Sequence, residues 1–506
     1  MPVHKMDKYD IIIIGSGMGG LVCGDILSRE GYKVCILEKN KQLGGSLQTY
    51  ARDKVIFDSG VHYIGALDKG QILYQLFRYL GLMDKLKLQR MEEVFDKIII
   101  DNDGKEYAFA QGYENFINKL LVDFPGEAKA LRIYCDKIKE VCSRFPLYNL
   151  RSGSEDEKQE VLNIGTKAFI ESITSDKKLQ AVLAGNNYLY AGEGDKTPFY
   201  VHALILNHYI QSAWKCVDGG SQIGKIMAKN IRGMGGEIMR HCEVKKIIEE
   251  NGKVTCVELA DGKKMYADTF ISNLHPVKTF EILDSRLIKT AHRNRLKSLK
   301  NSVSSFALNI VFKKASFKYF NHNYYCHKDG HVWDMADYTE ENWPLGYGVF
   351  LPATSKAGEY AEGMTLLTYM RYEEVKEWEH TFNTVSSVNS RGETYDAFKK
   401  RKTEKLLDEV EKKFPGLRDC IYSCYSSTPL SLRDYIGNAD GSTYGISKDY
   451  KDPLKTFIPA RTKLPNLYFT GQNLNLHGIL GTTLSGVITS IEILGKDDII
   501  EKIRNA

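Results

Sequence analysis

The chain has 506 residues, of which 43% are hydrophobic and 26% are charged. This length exceeds the roughly 250 to 300 residues that one hydrophobic core usually serves, so we expect two interleaved lobes. The net charge of +5 is small for so long a chain, and basic residues are interspersed with acidic ones. This pattern argues against nucleic acid as a partner.

The ten cysteines are dispersed along the chain, and the closest pair, Cys420 and Cys424, lacks a second Cys/His pair at zinc-site spacing. We therefore predict reduced thiols and no metal site. Residues 1–8 are polar and lead through a short apolar run into a glycine-rich turn. We expect no signal peptide and a cytoplasmic protein, either free or attached to a membrane surface.

The first forty residues alternate between strand and helix patterns. Residues 10–14 contain a continuous run of four isoleucines that is typical of a buried parallel strand, residues 21–27 have helical periodicity, and residues 32–37 read as a second strand. Further along, the same reasoning predicts helices over residues 71–88, 128–141, 223–231 and 395–414, strands over 237–248, 255–259, 268–272 and 467–470, an antiparallel sheet within 300–368, and a buried helix, not a membrane span, from Thr482 onward. Residues 383–394 are either a linker or a surface loop.

The first glycine motif is GSGMGG at residues 15–20, directly after the first strand. Gly15 allows a tight turn, Gly17 lets a pyrophosphate approach the backbone, and Gly20 lets the following helix pack against the strand. Glu38 ends the next strand, where a carboxylate accepts hydrogen bonds from both ribose hydroxyls. An acid at this position disfavours NADP, so FAD and NAD remain.

A second glycine turn separates these two cofactors. Residues 43–49, LGGSLQT, follow the acid closely, where the ribityl chain of a flavin must pass near the backbone. Residues 57–65, FDSGVHYIG, then place His62 between glycines on a segment that leads back toward the cofactor. The sequence therefore predicts FAD.

The combination of GxGxxG, LGGS and FDSGVHYIG resembles the phytoene desaturase, carotenoid isomerase and retinol saturase family, and FDSGVHYIG is closest to the retinol saturase form. The similarity continues through residues 188–221, which include HALILNHY, through residues 427–445, and through NLYFTGQ at 466–472. The resemblance thus covers most of the chain in the expected order.

The resemblance implies a glutathione-reductase-like FAD-binding Rossmann domain with an interleaved α+β substrate-binding domain. We expect residues 1–70, 215–285 and 455–506 to form the FAD-binding domain, and residues 71–214 and 286–454 to form the substrate-binding domain. The implied activity is reduction, desaturation or isomerisation of carbon–carbon double bonds in an apolar polyene, isoprenoid or lipid. The direction of reaction and the electron donor or acceptor stay open.

Two positions depart from the pattern of the family. Where the family usually has Tyr-Pro-Arg or Tyr-Pro-Lys before a glycine pair, this chain has CVD at 216–218, so an acid replaces a cation near the cofactor. Asn473 stands where the family often has aspartate. Both departures leave the substrate open.

The closing motif predicts how the flavin is stabilised. Residues 471 and 472 follow a strand, and a helix beginning near Thr482 would direct its N-terminus toward the flavin pyrimidine, which favours the reduced anionic flavin. By resemblance, Val244 holds the adenine through backbone groups. The residues expected to bind the cofactor are Gly15, Gly17, Met18, Gly19, Gly20, Glu38, Lys39, Gly44, Gly45, Ser46, Gly60, Val61, His62, Val244, Gly471, Gln472, Gly481 and Thr482.

Catalysis requires a proton donor or acceptor beside a hydride carrier. His62 is the first candidate and Tyr435 the second, and Tyr444 is a further phenol expected at the pocket. His202 and His208 lie six residues apart in an apolar helical stretch, so at most one of them is expected to face a pocket.

Two other classes of protein remain open. An amine-oxidase-type flavoenzyme would share the fold but act on C–N bonds, and it would present an aromatic cage that the sequence does not identify. A lipid carrier without flavin would have a damaged phosphate loop, whereas the glycines of this loop are intact here. Residues 145–150, FPLYNL, are either a membrane-facing entrance or an ordinary surface loop.

Overall fold

The structure is a computed structural model of the chain, and it describes residues 8–101, 104–356, 358–385, 387–438, 440–495 and 498–506. Residues 1–7, which carry most of the expectation that no signal peptide is present, lie outside this set. The strands are β1 (Tyr9–Ile14), β2 (Val34–Leu37), β3 (Thr49–Arg52), β4 (Val55–Asp58), β5 (Ile64–Gly65), β6 (Leu88–Arg90), β7 (Val94–Ile100), β8 (Tyr107–Ala110), β9 (Ala213–Cys216), β10 (Glu237–Met239), β11 (Val244–Glu250), β12 (Lys253–Leu259), β13 (Lys264–Ser272), β14 (Leu283–Asp284), β15 (Ser304–Phe312), β16 (Asn323–His327), β17 (Gly346–Phe350), β18 (Gly363–Met370), β19 (Ile421–Ser427) and β20 (Leu467–Phe469).

Helices connect these strands and cover both faces of the first sheet. They are α1 (Met18–Arg29), α2 (Ile72–Tyr79), α3 (Tyr113–Asp123), α4 (Ala128–Ser143), α5 (Gln159–Leu162), α6 (Thr166–Ile173), α7 (Lys177–Leu183), α8 (Phe199–Gln211), α9 (Ser221–Gly233), α10 (Pro276–Glu281), α11 (Thr290–Lys297), α12 (Glu393–Lys413), α13 (Leu417–Cys420), α14 (Pro429–Ile436), α15 (Pro453–Thr456), α16 (Gly478–Leu494) and α17 (Asp498–Arg504).

The first sheet has a buried parallel centre. Its order is β10-β2-β1-β13-β12-β11-β14, and β20 lies beside β13. Strand β1 pairs in parallel with β2 and β13, and β13 pairs in parallel with β20. Because parallel strands end at one edge, the loops that follow β1, β2 and β20 meet there. This arrangement confirms the predicted Rossmann-type α/β fold.

Glycine lets the two central helices approach closely. A Cβ at Gly486 of α16 would lie 2.6 Å from the Cβ of Val22 in α1, so these helices pack backbone against side chain. The α16 helix is the predicted buried helix, although it begins at Gly478, four residues before Thr482. Among the residues that the structure describes, no helix is both long and apolar enough to cross a bilayer.

The second sheet joins distant parts of the chain in the order β19-β15-β18-β17-β16-β7-β8. The strands between residues 304 and 370 are antiparallel, as their alternating pattern predicts, whereas β16 pairs in parallel with β7. The sequence did not predict that β7 and β8 belong to this sheet, because the pairing partners lie more than two hundred residues away. A sheet of such long-range pairs leaves no local signal.

Two predicted segments differ from the structure. The helix predicted over 71–88 is α2, which ends at Tyr79 because Gly81 adopts a positive φ of 65° and β6 follows. The predicted strand over 237–248 is divided into β10 and β11, with His241 at a φ of 57° between them.

The polar stretch 383–394 is tied to the fold by a buried carboxylate, apart from Ser386, which lies outside the described residues. Asp434 is fully buried and accepts from Arg391 Nη2 at 2.6 Å, from the Asn383 backbone at 2.7 Å and from Arg433 Nε at 2.7 Å. Because the Arg391 side chain is also buried, each charged group replaces the water that the other has lost. The described part of the stretch is therefore a loop attached to the fold and does not behave as a free linker.

Replacing Asp434 by alanine should lower the free energy of unfolding by about 3 kcal/mol, because it leaves the buried Arg391 guanidinium without its counterion. Urea denaturation followed by tryptophan fluorescence measures the loss. Asp396→Ala is the matched control, since its pair with Lys399 is solvent-exposed and should contribute less than about 1 kcal/mol. Equal stabilities of the two variants would contradict this account of Asp434.

Candidate active site

A cavity of about 320 Å³ runs along the edge where the parallel strands of the first sheet end. It brings together residues from the first sixty positions, from β11, and from the segments around residues 440 and 475. Every residue predicted to bind the cofactor lines this cavity except Gly20 and Gly481. A Cβ at Gly20 would lie 2.3 Å from the Gly15 carbonyl oxygen, and one at Gly481 would lie 2.4 Å from the Leu476 carbonyl oxygen, so these two glycines serve close packing.

Three glycine segments converge to form the wall of the cavity. The backbones of Gly17 and Gly44 form a parallel bridge, and a Cβ at Gly45 would lie 3.2 Å from the Cα of Gly17. A Cβ at Gly19 would lie 2.8 Å from the backbone nitrogen of Gly471. The cavity is therefore walled by backbone where a pyrophosphate and a ribityl chain need close approach.

Helix α1 starts at this wall. Its N-cap residue, Gly17, supplies no side-chain hydrogen bond to the first turn. The first N–H groups of a helix have no partner within the helix, and together with the helix dipole they favour an anion. The groove at residues 15–19 therefore fits the phosphates of a dinucleotide.

Glu38 is fixed in position at one end of the cavity. Its carboxylate accepts from the backbone and hydroxyl of Ser16 at 3.1 and 2.6 Å and from the backbone of Asn40 at 2.8 Å. A carboxylate has about four lone-pair positions, so one remains for a ribose hydroxyl. Val244 begins β11 at the same end of the cavity, where the Cys242 backbone donates to the Glu38 carbonyl.

Tyr435 and Lys39 also lie at this end. The carbonyl of Tyr435 accepts from Asn40 Nδ2 at 2.9 Å, and Lys39 Nζ donates to the carbonyl of Asp434 at 2.9 Å. Burial lowers the pKa of Lys39. The position of Tyr435 at the Glu38 end of the cavity does not favour its predicted catalytic role, which stays a prediction.

His62 lies at the opposite end of the cavity, beyond Gly60 and Val61. Its ring stacks on Phe350 with the centroids 4.6 Å apart. Burial, reinforced by the nearby Lys215 cation, lowers the pKa of His62 to about 4. The imidazole is therefore neutral at physiological pH, with its polar edge available to the cavity.

The N-terminus of α16 closes the same end. The helix begins after His477, which supplies no side-chain cap, so its first N–H groups, starting at Gly478, face the cavity. Thr482 lies one turn into the helix and donates its hydroxyl proton to the Gly478 carbonyl at 2.6 Å. The predicted helix N-terminus is thus present, with its donors four residues earlier than predicted.

A smaller apolar chamber of about 100 Å³ opens beside His62, between helix α8 and the start of α16. It shares Gly60, Val61, Tyr444, Gly478 and Ile479 with the cofactor cavity. The other residues that line the chamber are aliphatic or aromatic: Tyr63, Ile64, Leu189, Leu204, Ile205, His208, Tyr209, Leu476, His477 and Leu480.

The two histidines of α8 separate as the helical spacing predicts. His202 is buried between the hydroxyls of Tyr134 and Tyr190, at 2.5 and 2.8 Å. His208 lines the chamber, and its Nε2 accepts from the Gly65 backbone at 3.0 Å. Sequence reasoning missed the chamber-lining residues Leu204, Ile205 and Tyr209 as a group, although α8 is apolar on all sides, which is the signal of a helix buried within the protein.

Position 218 is an aspartate where the family usually has a cation, and the structure places a buried lysine three residues earlier. Asp218 adopts a φ of 63° and accepts from the Ser355 backbone at 2.9 Å. Lys215, three residues earlier on β9, is fully buried and donates to the Leu351 carbonyl at 3.0 Å. Burial lowers the pKa of Lys215 to about 7. A buried amine therefore lies near His62 although position 218 is acidic.

Comparisons with known proteins extend these observations. Residues 13–80 match a family model described as an NAD(P)-binding Rossmann-like domain. The chain is 26% identical to the all-trans-retinol 13,14-reductase of Rattus norvegicus over 97% of this chain and 86% of that protein. It is also 26% identical to the chloroplastic prolycopene isomerase of Daucus carota, over 95% of this chain and 79% of that protein.

Two solved structures share the fold. An oxidoreductase from Methanosarcina mazei has a TM-score of 0.65 at 16% identity, covering 96% of this chain and all of that chain. Cyclohexylamine oxidase from Brevibacterium oxydans has a TM-score of 0.61 at 14% identity, covering 99% of both chains. At these identities the likeness concerns the fold alone.

The fold and the backbone-walled cavity define an FAD-dependent oxidoreductase. Within that class, the similarity to the two curated relatives extends over nearly the whole chain. The protein is therefore a flavoenzyme that resembles the phytoene desaturase, carotenoid isomerase and retinol saturase group, as its motifs predict.

Gly17→Val should abolish retention of FAD, because the side chain would occupy the groove, where a Cβ already lies 2.8 Å from Asn273 Nδ2. The flavin absorbance that copurifies with the protein measures retention. Gly233→Val is the control, since a Cβ there meets no atom within 4 Å. Full flavin occupancy in the Gly17 variant would refute the assignment of the phosphate groove.

Lys215→Met should flatten the pH dependence of stability in the alkaline range. The folded pKa of about 7 lies below the ordinary value of 10.5, so between these values the unfolded chain binds a proton that the folded chain has released. The free energy of unfolding of the wild type therefore rises with pH there, by up to about 1.4 kcal/mol per pH unit from this group.

Urea denaturation at pH 7.5, 8.5 and 9.5 measures how the free energy of unfolding changes with pH in the wild type and in the Lys215 variant. The exposed Lys87→Met is the control and should keep the slope of the wild type. Parallel profiles for the wild type and the Lys215 variant would show that Lys215 is ordinarily solvated.

Proposed function

We propose that this flavoenzyme reduces, desaturates or isomerises carbon–carbon double bonds in an apolar polyene, isoprenoid or other lipid. The observation that carries the proposal is the apolar chamber that opens onto the cofactor cavity beside His62. Aliphatic and aromatic side chains line it, and none of the described lining residues is Asp, Glu, Lys or Arg, which favours a hydrocarbon chain over a charged substrate. The two curated relatives, named for a retinol reductase and a prolycopene isomerase, support a polyene as the substrate class.

The cavity suggests how the parts of FAD are distributed. We assign the phosphates to Gly15, Gly17, Met18 and Gly19, the ribose to Glu38, the adenine to backbone groups of Val244, the ribityl chain to Gly44, Gly45 and Ser46, and the flavin to Gly60, Val61, His62, Gly471, Gln472 and the first turn of α16 up to Thr482. Lys39 lines the ribose end. When bound, FAD supplies two-electron hydride chemistry at the junction with the chamber.

The proposed domain boundaries separate the segments that bind the cofactor from those that bind the substrate. We infer an FAD-binding domain from residues 1–70, 215–285 and 455–506, and a substrate-binding domain from residues 71–214 and 286–454. All strands of the first sheet fall within the former segments, and all strands of the second sheet fall within the latter. The chamber then lies where the two domains meet.

The residues of the chain have three tasks in this chemistry. The aliphatic walls orient the chain and exclude water, which strengthens the remaining electrostatic interactions. The N-terminal N–H groups of α16 stabilise negative charge at the flavin end of the cavity. His62, held neutral by burial, offers a lone pair that can accept a proton beside the reacting carbons.

An insoluble substrate has to be taken from a membrane, so we propose that the protein works in the cytoplasm and attaches to a membrane surface. The exposed apolar side chain of Val385 supports this, since it lines a groove that also has several basic residues, among them Lys225 and Arg240. Residues 145–150 are a weaker candidate for the contact, because Tyr148 and Leu150 are buried. The electron donor or acceptor is a separate partner of unassigned identity.

Anaerobic absorption spectroscopy tests the proposed function. The FAD-loaded protein is reduced with dithionite without excess, and a conjugated polyene alcohol in detergent is added. Return of the oxidised flavin bands, with loss of the polyene absorbance, is expected for a reductase. A changed polyene spectrum that leaves the flavin bands as they were is expected for an isomerase.

The contrary outcomes are equally distinct. One such outcome is that an alkylamine bleaches the oxidised flavin bands while no polyene, carotenoid or fatty acyl chain reacts. In that case the enzyme acts on C–N bonds. A protein that neither retains nor takes up FAD would be a carrier. Either result would contradict the proposed function.

His62→Asn should leave FAD bound and slow the reaction of the polyene by about 10²-fold, because asparagine keeps a polar group but cannot exchange a proton. Single-turnover absorbance with the same polyene measures the rate. Tyr435→Phe should have a smaller effect, since Tyr435 lies at the Glu38 end of the cavity. Unchanged rates in the His62 variant would remove this residue from the chemistry.

A further inference from the structure

The polar groups that line the apolar chamber are nearly all engaged within the protein. The Tyr63 hydroxyl donates to Asp96 at 2.9 Å, and the Tyr444 hydroxyl donates to the Tyr188 carbonyl at 2.8 Å. His477 Nε2 lies 2.8 Å from the Leu189 carbonyl, which fixes the ring proton on Nε2 and leaves Nδ1 as an acceptor only. None of these three side chains has a proton to give to a ligand.

His208 cannot donate a proton to a ligand in the chamber either, for a different reason. Burial lowers the pKa of His208 to about 3, so its ring is neutral, and Nε2 accepts the Gly65 N–H. The single ring proton is therefore on Nδ1. This nitrogen has no partner in the described chain, but surrounding atoms seal it from any open space. It cannot reach a ligand in the chamber.

Tyr209 is the remaining phenol of the chamber. Its hydroxyl has no hydrogen-bond partner among the described residues, and the side chain is only half-buried although it lies inside the protein, because it borders the chamber. The ring is held in place by stacking on Tyr63 at 4.2 Å and by edge contact with His208 at 5.2 Å. Unlike Nδ1 of His208, this hydroxyl is not sealed by protein atoms, so it is free to donate a hydrogen bond to a ligand in the chamber.

We propose that Tyr209 is a catalytic residue that delivers a proton to a carbon of the substrate bound in the chamber. This inference rests on the proposed function and concerns its reducing direction. The features that suit the role are the fixed orientation of the ring and a free hydroxyl on a side chain that lines the chamber.

The step balances in atoms and electrons. A hydride from a dihydroflavin-type donor adds to one carbon of the double bond, and the π electron pair moves to the neighbouring carbon. That carbon forms a C–H bond as the Tyr209 O–H bond breaks. The substrate gains two hydrogens, and the phenolate regains a proton from water once the product leaves.

Burial raises the pKa of Tyr209, so the hydroxyl keeps its proton throughout the working pH range. So weak an acid does not protonate a neutral alkene. It does protonate the strongly basic carbon that hydride addition creates, so proton delivery follows charge development.

Tyr209→Phe tests the proposal, with Tyr200→Phe as the control from the same helix. Tyr200 packs on Phe145 and does not line the chamber. Both variants should retain FAD, which verifies their fold. We expect reoxidation of the reduced flavin by the polyene to slow by at least about 10²-fold in the Tyr209 variant and to stay within about twofold of the wild type in the Tyr200 variant.

A second measurement does not depend on turnover. The wild type is labelled with [ζ-¹³C]tyrosine, and the Tyr209 resonance is identified as the one missing in Tyr209→Phe. Adding the polyene to the oxidised protein, in which no reduction takes place, should shift this resonance and leave that of Tyr200 in place.

The outcomes separate the two levels of the argument. If the wild type reacts with the polyene but the Tyr209 variant reacts equally fast, or if the Tyr209 resonance does not shift at saturation, the assignment of Tyr209 is wrong and the proposed function stands. If the wild type does not react with any polyene, the proposed function itself fails, and the role of Tyr209 fails with it.

Discussion

The active site depends on three backbone turns that come within van der Waals contact of one another. A Cβ at Gly45 would lie 3.2 Å from the Cα of Gly17 in the turn after β1, and a Cβ at Gly19 would lie 2.8 Å from the backbone of Gly471 in the turn after β20. Because the turn after β20 lies more than four hundred residues from the other two, the cavity exists only when the first sheet has assembled with β20 beside β13. The same contacts help to place the helix N-termini that face the cavity, since α1 begins directly after the first turn and α16 begins seven residues after Gly471.

Burial then sets the chemistry of the groups at the other end of the cavity. The pKa values of His62, His208 and His477 are all lowered by burial, so the three imidazoles are neutral around the chamber. The pKa of Asp96, which accepts from Tyr63 and Asn323, is raised by burial to about 7. The chamber thus has few charges, and its polar side chains other than Tyr209 are engaged in hydrogen bonds within the protein or sealed from open space. A hydrocarbon chain enters such a space without displacing solvated ions, and an interaction that forms only as charge develops is strong there.

The sequence predicted the parts of the structure that rest on local geometry. The glycine turn after a strand, the acid at Glu38 and the long amphipathic helix α12 each follow from spacing within a few tens of residues. The second sheet could be predicted only in its contiguous part, because the pairing of β7 with β16 is a long-range contact. The chamber illustrates the same limit: α8 is recognisable as a buried helix, but which of its residues meet the start of α16 depends on packing between lobes. For this reason His208 and His202 could be separated by their spacing, whereas the free hydroxyl of Tyr209 depends on which groups from other segments lie around it.

A crystal structure of the protein with FAD and a saturated analogue of the polyene alcohol tests the central claim most directly, which is that the cofactor cavity and the apolar chamber form one reaction site. The account predicts adenine near Val244, the flavin ring between His62 and the start of α16, and the hydrocarbon chain in the chamber beside Tyr209. A flavin ring at the Glu38 end, or a lipid bound outside the chamber while the chamber stays closed, would contradict it.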